Sequence, residues 1–398
     1  MTDWKDTPII DIIDVIGGGT PKTSIPEYWN GNIPWLSVKD FNNGNRYVYS
    51  TEKHISKLGL ENSSTRLLEK DDIIISARGT VGEIAMIPFP MAFNQSCYGI
   101  RAKYGIDKVF LYYLLKQSIS TLKQLTHGSV FDTITRDTFT SLTVSIPSID
   151  VQQKIAKILS LIDDKIEYNQ KLNDNLEKQA QYLFKSWFVD FDLFCKIMPS
   201  DWRIGTIDDL AKEIVCGKTP STKKEEYYGS DIPFITIPDM HGNVYTVNTT
   251  RYLSALGAKS QAKKSLPKNS ICVSCIGTAG LVTLVAKESQ TNQQINSIIP
   301  KDGFSPYFIY LLMQTLSDTI NKLGQGGSTI VNLNKSQFGK IQIIIPSLAV
   351  MTNFDKIVSP IFEKILQNQE ENLKLSSLRD ILLPKLISGE LDVSNIDI

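Results

Sequence analysis

The chain has 398 residues, 42% of them hydrophobic and 21% charged, with 42 basic side chains balancing 42 acidic ones. That length predicts two or three domains with cores of their own, and the composition excludes a disordered, collagen-like or low-complexity chain. No run reaches the roughly 18 apolar residues of a membrane span, no signal peptide opens the chain, and five cysteines without framework spacing suit a reducing interior, so a cytoplasmic protein with no membrane contact is expected.

From the N-terminus, Gly17-Gly18-Gly19-Thr20-Pro21 reads as a turn, and residues 33–38, 72–76 and 142–146 read as short buried strands. Residues 109–125 read as a helix with Phe110, Tyr113, Leu114, Ile119 and Leu122 on its apolar side. A longer helix follows, whose positions Ile155, Leu159, Ile162, Ile166, Asn169, Asn173, Leu176, Ala180, Leu183 and Trp187 step alternately by four and three. That is a heptad seam with two polar layers, about 50 Å long over some 35 residues.

The chain then begins again. At an offset of 199, residues 20–40 match residues 219–239 at 8 of 21 positions, among them Thr20-Pro21/Thr219-Pro220, Ile33-Pro34/Ile232-Pro233 and Asp40/Asp239. Unrelated segments of average composition would share about one or two. Gly79-Thr80 returns as Gly277-Thr278, Asn94-Gln95 as Asn292-Gln293, and Ile146-Pro147 as Ile345-Pro346. The seam returns as Phe354, Val358, Ile361, Ile365, Asn368, Asn372, Leu375, Arg379, Leu382 and Leu386, with both asparagines kept. A period of this length is too long for a solenoid, so each half is a globular unit plus a helix.

The expected architecture is mixed α+β. Two tandem-duplicated domains, 1–148 and 196–347, are related by a pseudo-two-fold axis and separated by two long helices, 149–195 and 348–398, that form an antiparallel coiled coil. Asn169 is expected near Asn372 and Asn173 near Asn368, fixing register. The alternative is that each helix simply docks on its own domain. Pro384, which replaces Lys185, should kink or end the second helix near Leu383. Zero net charge hides an uneven distribution. Cut at 147/148, 195/196 and 348/349, the segments carry 0, −2, +5 and −3.

No catalytic constellation emerges. The three histidines, His54, His127 and His241, form no metal-binding spacing and recur at no equivalent place. Cys272-Val273-Ser274-Cys275 lacks a second pair and falls where the first half has a buried strand, which favours core cysteines. Gly217-Lys218-Thr219 lacks the upstream glycine of a P-loop, no GxGxxG occurs, and neither the Asn-Pro-Pro-aromatic nor the Asp-Pro-Pro-Tyr tetrapeptide of amino-methyltransferases is present. The repeated acids, Glu27/Glu226 and Asp40/Asp239, suit structural caps.

These residues together resemble the specificity (S) subunit of type I restriction–modification systems. The resemblance rests on Gly18-Gly19-Thr20-Pro21 leading to Ile33-Pro34-Trp35-Leu36-Ser37-Val38, and on Ala77-Arg78-Gly79-Thr80-Val81-Gly82. It extends to Leu183-Phe184-Lys185-Ser186-Trp187-Phe188-Val189-Asp190-Phe191 and to the closing run from Leu378 to Leu391. It covers essentially the whole chain, in order, twice. Arg78 becomes Ile276 and Gly17 becomes Cys216 in the second copy, so a DNA role for Arg78 need not carry over. The resemblance implies a non-catalytic subunit whose two target-recognition domains read the halves of a bipartite, asymmetric site in double-stranded DNA. It implies two modification subunits as partners, which carry S-adenosylmethionine and methylate adenine at N6, and it admits a restriction subunit that uses ATP and Mg. This chain itself would hold no cofactor and no metal.

Phosphate contacts are then expected from lysine-rich loops and base contacts from polar side chains. In the first domain the candidates are Lys22, Lys39, Arg78, Asn94, Gln95, Ser96, His127 and Ser129. In the second they are Lys218, Lys223 and Lys224, then Lys263 and Lys264 with Lys259 and Lys268 beside them, and Asn292, Gln293 and Ser328. A solvated lysine-rich surface would give the same pattern, and the shared Asn-Gln pairs suit scaffold or backbone contact as well as base reading. Two other readings stay open: a coiled-coil scaffold whose domains bind protein or carbohydrate, and a specificity protein serving methylation alone.

Overall fold

The computed structural model describes residues 4–126, 133–325, 332–394 and 396. It divides into two compact units, Met1–Glu167 with Leu375–Ile398, and Tyr168–Lys374. The long helices, Ile149–Phe188 and Leu348–Ile387, each run 40 residues and contribute to both units. At 1.5 Å per residue each is about 60 Å long.

In the first unit, a four-stranded antiparallel sheet runs in the order Ile13–Gly17, Cys97–Ala102, Ile73–Ser76, Ile84–Met86. Ile73, Ile74 and Ile75 are each at most 1% exposed, as a strand covered on both faces requires. A second sheet runs Lys53–Ile55, Trp29–Leu36, Met91–Phe93, Leu67–Leu68, with one parallel pair at its centre. The helix Lys108–Thr126 buries Phe110, Tyr113, Leu114 and Leu122 in the same core as Ile155 and Leu159 of the long helix. Lys5–Pro8 pairs with Thr143–Ile146 and brings the end of the domain back to its start.

The second unit repeats this plan. Its first sheet runs Ala211–Cys216, Ile295–Pro300, Ile271–Ser274, Val282–Val285, Tyr245–Thr246, and its second Arg251–Leu253, Tyr228–Ile235, Gln290–Thr291. The differences are small. The pairing of Tyr245–Thr246 survives in the first unit as a lone bridge from Tyr47 to Met86, and Leu67–Leu68 has its counterpart in a bridge from Leu266 to Ser289. The single helix Lys108–Thr126 is here two, Pro306–Thr315 and Ser317–Gln325. Both units carry the same irregularity. Trp29 and Ile33 both face Ile55, and Tyr228 and Ile232 both face Leu253, so a three-residue bulge stands out from the strand each time.

The helices both pair with each other and dock on the domains. In the second unit, Asn169 meets Asn372 and Asn173 meets Asn368, which fixes the pairing there as antiparallel. Beside that seam, Phe184 and Phe188 pack on Phe308 and Phe354. The buried face is therefore wider than two positions per heptad.

The second long helix does not stop at Leu383. It passes through Pro384 and ends at Ile387. A proline withholds one donor, but Leu383, Leu386 and Ile387 are all under 8% exposed in the first unit's core, and Ser388 N–H donates to the Pro384 carbonyl at 3.0 Å. Burial of three large side chains outweighs one lost bond.

Candidate nucleic-acid interface

The turns that lead into Thr20-Pro21 and Thr219-Pro220 are held from beneath. A side chain at Gly18 would lie 2.1 Å from the Asn94 carbonyl oxygen, and one at Gly217 2.1 Å from that of Asn292, so both need glycine. At Gly17 the nearest atom would be 3.9 Å away, which is why Cys216 is accommodated at the equivalent place. The shared Asn-Gln pairs lock the turns. Asn94 Oδ1 accepts from the Ser96 N–H at 3.0 Å and Asn292 Oδ1 from the Gln294 N–H at 3.1 Å. The Thr20 hydroxyl donates to Gln95 Oε1, and the Thr219 hydroxyl to Gln293 Oε1 at 2.7 Å. Gln95 and Gln293 are nevertheless exposed, whereas Asn94 is half-buried and Asn292 buried.

Around the first turn the structure gathers several candidates. The Arg78 amide donates to the Ser96 carbonyl at 3.2 Å, so Arg78, Gln95 and Ser96 share one edge, with Arg78 exposed. Lys22 is exposed, and its carbonyl accepts from the Trp29 indole at 3.2 Å. Over the same indole lies Lys53 Nζ, 5.8 Å from the ring centroid. Lys39 is exposed on the short turn Val38–Asp40 and is joined to this edge by no hydrogen bond among the described residues. His127, Ser129 and Ser328 lie outside the described residues. Ile276, in the place of Arg78, is half-buried and bridges Asn332, a structural use with no charge.

In the second unit, Lys218, Lys223 and Lys224 are exposed, and Lys224 Nζ donates to the Tyr227 hydroxyl at 3.1 Å. Gln261 Nε2 donates to the Lys218 carbonyl at 2.9 Å, and Gln261 opens the turn Ala262–Lys264. Two lysine groups separated in sequence thus adjoin: exposed Lys263 and half-buried Lys264 meet the turn that carries Lys218. Sequence reasoning passed over Lys53 and Arg251, which stand on equivalent edge strands beside Trp29 and Tyr228. Their signal was present as a basic residue repeated at an offset of 198. Lys53 and His54, with Thr23, Trp29, Asn30 and Glu52, line one concave groove.

The helices hold these surfaces by different chemistry at equivalent points. Arg46 pairs with Asp164 and lies 3.4 Å from Glu167. Tyr245, at the place of Arg46's neighbour Tyr47, is instead bonded through its backbone to the Gln369 amide, at 3.0 and 3.1 Å. The Tyr113 hydroxyl donates to buried Asp163 at 2.6 Å, and Arg379 Nη1 to the same carboxylate at 2.9 Å. Tyr310 donates to Glu177 at 2.9 Å. At the seam, Asn169 Nδ2 donates to Asn372 Oδ1 at 2.9 Å and Asn368 Nδ2 to Asn173 Oδ1 at 2.7 Å, with Asn169 and Asn368 at most 1% exposed.

Burial pushes the Cys272 thiol up to about 12 and the Cys275 thiol up to about 11, so both are protonated core side chains. Among the described residues no group of His, Cys, Asp and Glu could hold a metal ion, and no helix is long and apolar enough to cross a membrane. What the surface offers is exposed cations beside aromatic rings and hydrogen-bonding side chains on braced turns. That set suits a polyanion with readable edges.

Comparison with known proteins gives the same direction. The profile of the type I restriction modification DNA specificity domain matches residues 1–178 and again 199–375. The type I restriction enzyme HindI specificity subunit of Haemophilus influenzae is 33% identical over 98% of this chain and 100% of its own length. The MjaIX specificity subunit of Methanocaldococcus jannaschii is 32% identical over 99% of this chain and 95% of its own. Among solved structures, the S subunit of a type I restriction-modification system from M. genitalium superposes with a TM-score of 0.62 at 17% identity, covering 97% of this chain and 96% of that one.

Proposed function

The chain belongs to the type I restriction–modification DNA specificity family, and from that premise we propose that it reads a bipartite, asymmetric DNA site for a methyltransferase that it recruits. It is the DNA-recognition subunit of such a system and a non-catalytic one. Each unit supplies one recognition surface for one half of the site. The adenine-N6 chemistry, S-adenosylmethionine and any ATP and Mg belong to partner subunits: two modification subunits, joined in some assemblies by a restriction subunit. The site of action is the cytoplasm, where the DNA is.

One observation carries this reading. The same strand order, bulge and braced turn occur twice, while the side chains displayed on them differ: Arg78 against Ile276, Gly19 against Lys218, His54 against Tyr252. Identical scaffolds with different displays read two different half-sites, and the paired helices set the spacing between them. Their acidic balance suits outer faces that meet protein and not phosphate.

The test is to co-express the chain with the modification subunit from the same genome and to map methylated adenines across that genome. A split asymmetric motif is expected, one half of which changes when residues 196–347 are exchanged for those of a relative. A stable complex that adds no methylation would sink the reading.

A further inference from the structure

Both units project a three-residue bulge from the same place, between Trp29 and Ile33 and between Tyr228 and Ile232. The backbone there is committed. Asn30 sits at φ 60°, in the left-handed region, and a side chain on Gly31 would lie 2.4 Å from the Ile55 carbonyl oxygen. What the bulges display is not shared: Asn30-Gly31-Asn32 in one, Gly229-Ser230-Asp231 in the other. Asn30, Asn32, Ser230 and Asp231 are exposed, and the side chains of Asn30, Asn32 and Ser230 have no hydrogen-bond partner among the described residues. Asp231 carries one, accepting from the Ala255 N–H at 2.8 Å.

The surroundings of the bulges are shared. Each lies beside an aromatic ring, Trp29 or Tyr228, and faces an edge strand that carries a cation, Lys53 or Arg251. Lys22 adjoins the same ring, its carbonyl accepting from the Trp29 indole N–H at 3.2 Å. The duplication thus acts as an internal comparison. Positions kept in both copies, such as Thr20/Gln95 and Thr219/Gln293, are tied up in bracing the turn. The bulge positions are exposed, polar and different in the two copies.

We propose that these bulges are the base-reading elements: Asn30 and Asn32 for one half-site, Ser230 and Asp231 for the other, with Lys22, Lys53 and Arg251 holding the flanking phosphates. A carboxamide can accept from and donate to adenine N6 and N7 at once, a serine hydroxyl suits either groove partner, and a carboxylate accepts from cytosine N4. The two bulges therefore differ in which bases they fit. This assignment rests on the DNA-recognition reading above and locates it within each domain.

The experiment uses the full chain in complex with its modification subunit and measures methylation rates on every single-base variant of the mapped site. The test variant is Asn30→Gly with Asn32→Ala, where glycine suits the left-handed backbone and stands at the equivalent place in the second bulge. The expected result is a loss of about five- to 150-fold at the cognate base of one half-site, with relaxed preference there. The other half-site should keep its preference. Ser230→Ala should do the reverse, so one poorly folded variant does not decide the matter. Unchanged preferences in both variants would overturn the assignment, and so would a loss equal for all sequences, which would mark phosphate contact. If the unsubstituted complex methylates without sequence preference, the DNA-recognition reading itself fails, an outcome distinct from a preference that the bulges do not control.

Discussion

Asp239 organises its turn from one side chain. Its Oδ2 accepts from the Thr236 amide at 2.8 Å and hydroxyl at 2.6 Å, and its Oδ1 from the Thr250 amide and hydroxyl, each at 2.8 Å. Burial alone would raise its pKa, but the bonds from Thr236 and Thr250 outweigh it and hold the carboxyl below its ordinary value. Asp40 repeats the arrangement with Ser37 and the Glu52 amide, which makes the repeated acid a cap and not a catalytic group. Replacing Asp239 with alanine should cost about 2 kcal/mol at neutral pH. Because the folded pKa lies below the unfolded value of about 3.9, that contribution is complete above the unfolded value and is lost as pH falls through the folded one. The gap in urea midpoint between Asp239→Ala and the unsubstituted chain should hold steady from pH 8 to 5 and narrow below about pH 4. A gap that widens in acid would contradict the assignment.

At the scale of elements, the heptad seam was legible because a period of 3.5 needs no knowledge of the partner, and the asparagine layers followed from it. Docking of the helices on the domains was legible only as an alternative to pairing, and the contacts that make it were not legible. The segment that carries Arg46 and Tyr47 meets Asp164 through the Arg46 charge, whereas its counterpart meets Gln369 through the backbone of Tyr245. Phe362, equivalent to Asp163, stacks on Tyr307 at 4.6 Å, so Tyr310 finds Glu177 on the other helix. Such choices depend on what lies opposite, which no local pattern records, and the same limit made Pro384 read as a kink or an end, of which the end does not occur. These contacts differ in what their removal does. Asn173→Ala strands Asn368 in the seam and should cost about 1–3 kcal/mol. The double replacement Asn173→Leu/Asn368→Leu should be less destabilising than that single change, since no polar atom is left stranded between those positions. Denaturant titrations of both variants check the order, and a double variant weaker than the single would refute it. Arg379→Ala removes the cation from Asp163, which is 4% exposed, and should cost about 3–5 kcal/mol in the same titration. Adding Asp163→Leu should recover much of the loss, whereas equal or greater destabilisation would mean that packing and not charge holds the pair.

For the molecule as a whole, neutrality is an accident of addition. The charge of +5 within residues 196–348 is offset by the acidic helices, and the structure brings the Lys218 and Lys263 groups of that segment together through Gln261. The repeat and this asymmetry could be read from the chain directly, since both are sums over residues. Which lysines adjoin could not, because the link is one glutamine 43 residues away. If Lys218, Lys223 and Lys224 each hold a phosphate, the affinity of the assembled complex should fall linearly with the logarithm of salt concentration. Replacing all three with alanine should reduce that slope by about 2.7, at about 0.9 per contact, and weaken binding at low salt for cognate and random DNA alike. Anisotropy titrations between about 50 and 200 mM salt would measure it. An unchanged slope would leave these lysines as a solvated surface. A change in the preferred sequence would instead move base reading from the bulge to the turn, because a contact to the backbone weakens every site equally and only a contact to a base edge can tell one site from another.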